Sequence, residues 1–349
     1  YMRADIAGIA AACAEKDVKI GMTVCNAKAE FRDLEQTEIG EEAEEGTVGD
    51  YTVKGSGDDF WSVSDDGAGE VIVGDDSGNI GNDSWMAYYA VKQFNDSGTY
   101  LVGADMKLLA SSSLVNGKFG LVPLFADDNN WVAVYLSESS ADGQIMMQLL
   151  VKLGGEIVCN ESKAIYPATE TLLNVSRTFS VYVSGDTVVV WLEGSKNYVI
   201  GEKVGDLSAL SSFEKLYYGV SIIGAKAEFS GLNVLNITSE TVLDPNFAIA
   251  LTRYELDSYK NQDDYYAEEW SEIKGYIADV INAMEDTGAD IDALIADAKV
   301  KIDQVNTKTQ VDAINAAALA SKAAAAEAEL DAYFSAKNSD EYADESWAE

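Results

Sequence analysis

The sequence predicts a multidomain chain that is β first and α second. A β-sandwich is expected over residues 45–243, then a three-helix bundle over 246–320 that begins to repeat over 321–349. Three observations predict it. Of the 28 glycines only Gly275 and Gly288 follow position 245, and the three prolines (Pro123, Pro167, Pro245) lie at or before it. Short apolar runs broken by turns give way there to a long Ala/Glu/Asp/Lys-rich region, the composition of strands followed by helices. Each part also contains an internal repeat.

In chain order, Phe60–Val63 leads through the turn Asp65-Asp66-Gly67 to Glu70–Val73. Apolar runs then recur at Ala87–Val91, Tyr100–Leu108, Gly117–Val122 and Trp131–Leu136, followed by Ile145–Val151, Phe179–Val183, Thr187–Leu192, Tyr217–Ile223 and Ala227–Leu235. So many short strands with no helical period between them predict two packed sheets. Pro245 disfavours helical backbone at Asp244, and Asn246 is the expected cap of the helix that follows. Trp270, Ile273, Ile277, Ile281 and Met284 form one apolar helical stripe. Ile291, Leu294, Ile295, Ala298, Ile302 and Val305 form a second. Ala316–Ala328 is so rich in alanine that a continuous helix is expected to run on between bundles and set their spacing.

The repeats set the domain phase. Ala27-Lys28-Ala29-Glu30-Phe31 recurs as Ala225-Lys226-Ala227-Glu228-Phe229, with Gly21 and Leu34 matched by Gly219 and Leu232, all 198 residues on. Residues 1–36 are therefore expected to be the closing end of a preceding sandwich, joined by the acidic linker 37–44 to the complete one. Without its own sheet this segment is expected to order only by pairing outside itself, possible partners being other copies of the chain. In the α part, Leu256-Asp257-Ser258-Tyr259 recurs as Leu330-Asp331-Ala332-Tyr333, and Trp270 as Trp347. Equivalent placement makes Tyr259, Trp270, Tyr333 and Trp347 expected bundle anchors.

Composition narrows the function. Sixty Asp and Glu against 24 Lys and Arg give a net charge of −36, which repels phosphate backbones and excludes nucleic acid as an expected partner. There is no histidine, so this chain supplies no imidazole for a zinc site, a Ser-His-Asp triad or general base catalysis. Cys13, Cys25 and Cys159 are too few and too scattered for a disulfide framework and read as buried thiols. No apolar run reaches membrane-span length. The chain opens at Tyr1 and closes at Glu349 inside a helical pattern, as expected of a segment of something longer. A missing leader therefore says nothing about compartment.

The β part resembles the concanavalin A-like (laminin G-like) jelly roll. The resemblance rests on Phe60-Trp61-Ser62-Val63-Ser64-Asp65-Asp66-Gly67, on Trp85-Met86-Ala87-Tyr88-Tyr89, on Gly120-Leu121-Val122 with Asp127-Asp128-Asn129-Asn130-Trp131, and on the closing Ala225–Phe229 strand. The α part is similar to the FIVAR-type three-helix repeats of Gram-positive surface proteins, through Leu-x-x-Tyr, Tyr-x-x-x-Trp and the Ala-rich helix. Together they imply an extracellular, cell-surface repeat protein, attached to the wall through parts outside this segment. Its sandwich would be an adhesin-like, carbohydrate- or protein-binding module and its helices spacers. A filament or stalk unit is the alternative, and an atypical glycosidase a second one.

The candidate site follows from strand alternation. Trp131, Ala133 and Tyr135 oppose Val132, Val134 and Leu136, and Trp191 with Glu193 opposes Val188, Val190 and Leu192. With Val, Val and Leu inward in both strands, the Trp-bearing faces are expected to converge on one sugar-stacking surface of Trp131, Tyr135, Trp191 and Glu193. The other reading of these tryptophans is core. No Glu-x-Asp-x-(x)-Glu run places two carboxylates on one strand, so no catalytic residue is assigned and no enzyme is expected. No cofactor is expected beyond calcium. Asp75, Asp76, Asn79 and Asp83 form one oxygen-rich turn, and Asp127 with Asp128 another. Both suit a hard cation or ordinary turn chemistry.

Overall fold

The computed structural model describes residues 46–337 apart from 55–57, 68, 78–87, 95–97, 112–116, 140–141, 168, 208–209, 211–212, 214 and 286–289. The expected sandwich remnant 1–36, the linker 37–44 and the segment 338–349 with Trp347 lie outside these residues.

Among the described residues, fifteen strands form two antiparallel sheets. They are β1 Thr47–Val48, β2 Tyr51–Lys54, β3 Trp61–Asp65, β4 Glu70–Asp75, β5 Tyr88–Phe94, β6 Thr99–Ser111, β7 Lys118–Asp127, β8 Asn130–Glu138 and β9 Ile145–Leu153. Then come β10 Glu156–Tyr166, β11 Ser176–Ser184, β12 Thr187–Leu192, β13 Tyr198–Lys203, β14 Leu216–Ile223 and β15 Ala225–Asn236. One sheet has the order β1-β2-β5-β14-β7-β8-β9-β10, the other β13-β12-β11-β6-β15-β4-β3.

Alternation places the core between them. Val132, Val134 and Leu136 of β8 meet Val188 and Val190 of β12 in one cluster with Ile72, Met106 and Phe229. The repeated Ala225–Phe229 motif now has a physical account. Ala225, Ala227 and Phe229 are fully buried, while Lys226 and Glu228 point outward to ion pairs with Asp75 (2.8 Å) and Lys107 (2.6 Å). Gly219, also part of the repeat, faces β5 so closely that a Cβ would lie 2.1 Å from the Ala90 carbonyl oxygen.

Four strands have no counterpart in the sequence reading: β1, β2, β10 and β13. β10 lies at a sheet edge with most residues exposed, so its sequence shows no buried alternation. β13 is six residues long and closes the edge of the other sheet.

Among the described residues four helices follow: α1 Pro245–Asp257, α2 Ala267–Ala283, α3 Ile291–Asp303 and α4 Lys308–Ser335. The cap of α1 is Asp244, not the expected Asn246. Its carboxylate accepts from the Asn246 and Phe247 amides at 2.8 and 3.1 Å, and Pro245 takes the first helical position, where no donor is lost. Ile249 and Leu256 of α1, Ile273, Ile277 and Ile281 of α2, and Ala298 and Ile302 of α3 form one core. Tyr259 and Trp270 pack against it as expected. α4 does not join this core. It starts at a reciprocal capping box between Thr307 and Gln310, runs 28 residues and buries none of them. Tyr333, an expected anchor, is 57% exposed.

Candidate functional site

The two Trp-bearing strands do have Val, Val and Leu inward, but β8 and β12 belong to opposite sheets. The same phase therefore turns Trp131 and Trp191 to opposite outsides of the sandwich. The single surface expected from the sequence is corrected to two faces, and both are closed.

On the first sheet, Trp131, Ala133 and Tyr135 cluster with Tyr89, Phe125 and Tyr217. Trp131 is 9% and Tyr135 1% exposed, so neither ring offers a stacking platform. The Tyr135 hydroxyl lies 3.2 Å from Ser221 Oγ. Burial pushes its pKa up to about 12, against the opposing pull of hydrogen bonds with Ser221 and Tyr89. Replacing either ring would open a cavity in a packed layer rather than delete a surface contact.

On the second sheet, Trp191 is 4% exposed beneath α1. Its ring meets that of Phe247 at a 55° tilt with centroids 5.2 Å apart, and its Nε1–H donates to the Ser195 carbonyl at 2.6 Å. Ala250 completes the buried contact, with Leu101 and Tyr182 around it. Farther along the same helix, the Tyr254 ring packs against β13, where a Cβ at Gly201 would fall 2.2 Å from it. The Tyr198 hydroxyl donates to Asp257 at 3.0 Å, and Lys196 pairs with Glu285 beyond α2. Burial pushes the Asp257 carboxyl above its ordinary value, although Tyr198, Arg253 and Lys163 favour its charge. Trp191 thus belongs to a joint between the sandwich and the helices. Glu193 is exposed in the turn after β12, its backbone amide bonded to the Thr178 carbonyl at 3.1 Å.

The candidate calcium turns are committed internally where they are described. Asp75 accepts from Lys226 and from the Ser77 hydroxyl (2.8 Å). Its pKa falls below the usual range because these bonds outweigh burial. Asp76 is buried and accepts from the Gly224 amide at 2.8 Å, tying the end of β4 to the β14–β15 turn. Asn79 and Asp83 lie outside the described residues. Asp127 accepts from the Asn129 amide and the Asn130 side chain, both at 2.8 Å, and the Asp128 carbonyl accepts from Lys152 at 2.9 Å. These are turn-closing bonds. Among the described residues no three Cys, Asp or Glu side chains gather to hold one ion.

The feature that sequence reasoning missed lies between the strands it missed. β10 and β13 edge the two sheets on the same side of the sandwich, and a groove of about 220 Å³ runs between them. Glu161, Ser162 and Lys163 line one wall, Tyr198 and Glu202 the other. Lys163 Nζ donates to the Val199 carbonyl at 2.9 Å and stands 5.9 Å from the Tyr198 ring centre. Burial, then the charge of Glu161, raises the Glu202 pKa above its ordinary value. No sequence motif signalled this groove, because its residues come from two polar edges.

No family model matches the chain, and no curated protein matches it. Solved structures do. A functionally unknown protein from Saccharomyces cerevisiae aligns with TM-score 0.39 and 11% identity over 54% of this chain and 98% of its own. The carbohydrate-binding module CBM66 from Bacillus subtilis aligns with TM-score 0.32 and 13% identity over 50% of this chain and 94% of its own. The GH43B protein of the Bacteroides ovatus xyloglucan locus reaches TM-score 0.39 and 15% identity over 55% of this chain and 38% of its own. Likeness at this level carries no argument about what this chain binds or does.

Proposed function

We propose that this chain is a non-enzymatic segment of a modular extracellular surface protein. Its concanavalin A-like sandwich is a glycan- or protein-binding module, held at a fixed attitude by FIVAR-type spacer helices. One observation supports this most: α1 belongs to both halves. Phe247 and Ala250 pack on Trp191 of the sandwich, while Ile249 and Leu256 of the same helix enter the bundle core. A flexible tether would give each module its own polar surface at the junction. Here two apolar faces of one helix are buried in two different cores, which couples sandwich and bundle rigidly.

A second reading, a purely structural stalk unit, is favoured by the closure of both aromatic faces. A glycan array probed with the whole labelled chain separates the two. Reproducible binding to a family of related glycans supports the module. A blank array leaves the stalk and the protein-binding form of the module.

A further inference from the structure

The groove between β10 and β13 combines features that neither aromatic face has. It is concave and open, and it presents acceptors and donors side by side. The carboxylates of Glu161 and Glu202 have no hydrogen-bond or ion-pair partner among the described residues, although Lys163 stands between their strands. Carboxylates lining a groove accept hydrogen bonds from hydroxyl pairs, and an ammonium group supplies complementary donors. The Tyr198 ring is fixed by its bond to Asp257 and its edge-on contact with Tyr254 at 5.5 Å. It gives that wall an apolar body beside the polar groups.

We propose that this groove is a saccharide-binding site, selective for neutral glycans. In it Glu161 and Glu202 accept from sugar hydroxyls, and Lys163 donates. The inference rests on the glycan-binding reading above and locates it. Charge sets the selectivity. Two carboxylates in the groove and a net charge of −36 over the chain repel uronates and sulfated sugars. The raised Glu202 pKa is consistent with a carboxylate waiting for a donor that would stabilise its charge. An added β-strand is the competing occupant, because β10 and β13 pair only with β9 and β12 among the described residues. The charges of Glu156, Glu161 and Lys163 along β10 oppose it, since charged edges are how sheets resist strand addition.

The test takes the tightest neutral oligosaccharide from the array and measures its affinity for the whole chain by calorimetry. Glu161→Gln with Glu202→Gln should weaken binding at least tenfold, and Lys163→Met, which removes the ammonium donor and keeps the apolar stem, should weaken it severalfold. Thermal unfolding of each variant should match the parent. Unchanged affinity in both variants overturns the groove while sparing the glycan-binding reading. A blank array overturns both. Preference for acidic glycans, or strand peptides binding where sugars do not, also overturns the proposal.

Discussion

The Leu-x-x-Tyr signature occurs twice, 74 residues apart, and its two leucines, Leu256 in α1 and Leu330 in α4, meet opposite fates. Leu256 is 1% exposed and Leu330 55%. At the same spacing, Phe247 and Tyr254, which bind α1 to the sandwich, are replaced in α4 by Ser321 and Ala328, while Ala250 is matched by Ala324. Ile249 becomes Ala323. What repeats is the pair Leu and Tyr, which in the first copy packs in the bundle core; what does not repeat is the aromatic face that grips a sheet. α1 is therefore held by tertiary contacts on two sides, whereas α4 is held by alanine's helix propensity and its capping box.

That contrast yields three expectations. The largest is at the joint. Phe247→Ala should cost about 3–5 kcal/mol in urea unfolding, whereas Ser321→Ala at the equivalent place should stay within about 0.5 kcal/mol. A small effect at Phe247 would mean that α1 is not seated on Trp191. Next, Leu256→Ala should cost about 2–5 kcal/mol and Leu330→Ala under about 0.5 kcal/mol. Equal losses at the two leucines would break the comparison by showing that α4 is packed after all.

The smallest expectation is electrostatic. Burial raises the folded-state pKa of Asp257 above its unfolded value, so the folded protein holds that proton more tightly. Its contribution favours folding at low pH and declines as pH rises from the ordinary carboxylate range through the folded pKa. Asp257→Asn should flatten that part of the Tm-against-pH curve. A curve identical to the parent in Asp257→Asn would show that the carboxyl is not desolvated at the joint.

Much of the fold was legible because it is local. The Ala225–Phe229 alternation, the two helical stripes and the alanine-rich run each specify backbone and facing within a few residues. The edge strands β10 and β13 were not legible, since an exposed edge has no buried face to write a period of two into the sequence. The candidate site suffered for the same reason. Alternation correctly turned Trp131 and Trp191 away from the core, yet it carries no information on which sheet a strand joins.

The sequence by itself determined the β-then-α order, the inward residues of the central strands, the existence of α4 and a surface charge that repels anions. These follow from propensity, period and composition, all readable without knowing who neighbours whom. Only the tertiary structure decided that β8 and β12 lie in opposite sheets, that α1 covers Trp191, and that two polar edges meet as a groove. Those outcomes depend on pairings between residues tens of positions apart. A strand's pattern states that it has two faces, but what lies over the outer one is fixed by the rest of the chain.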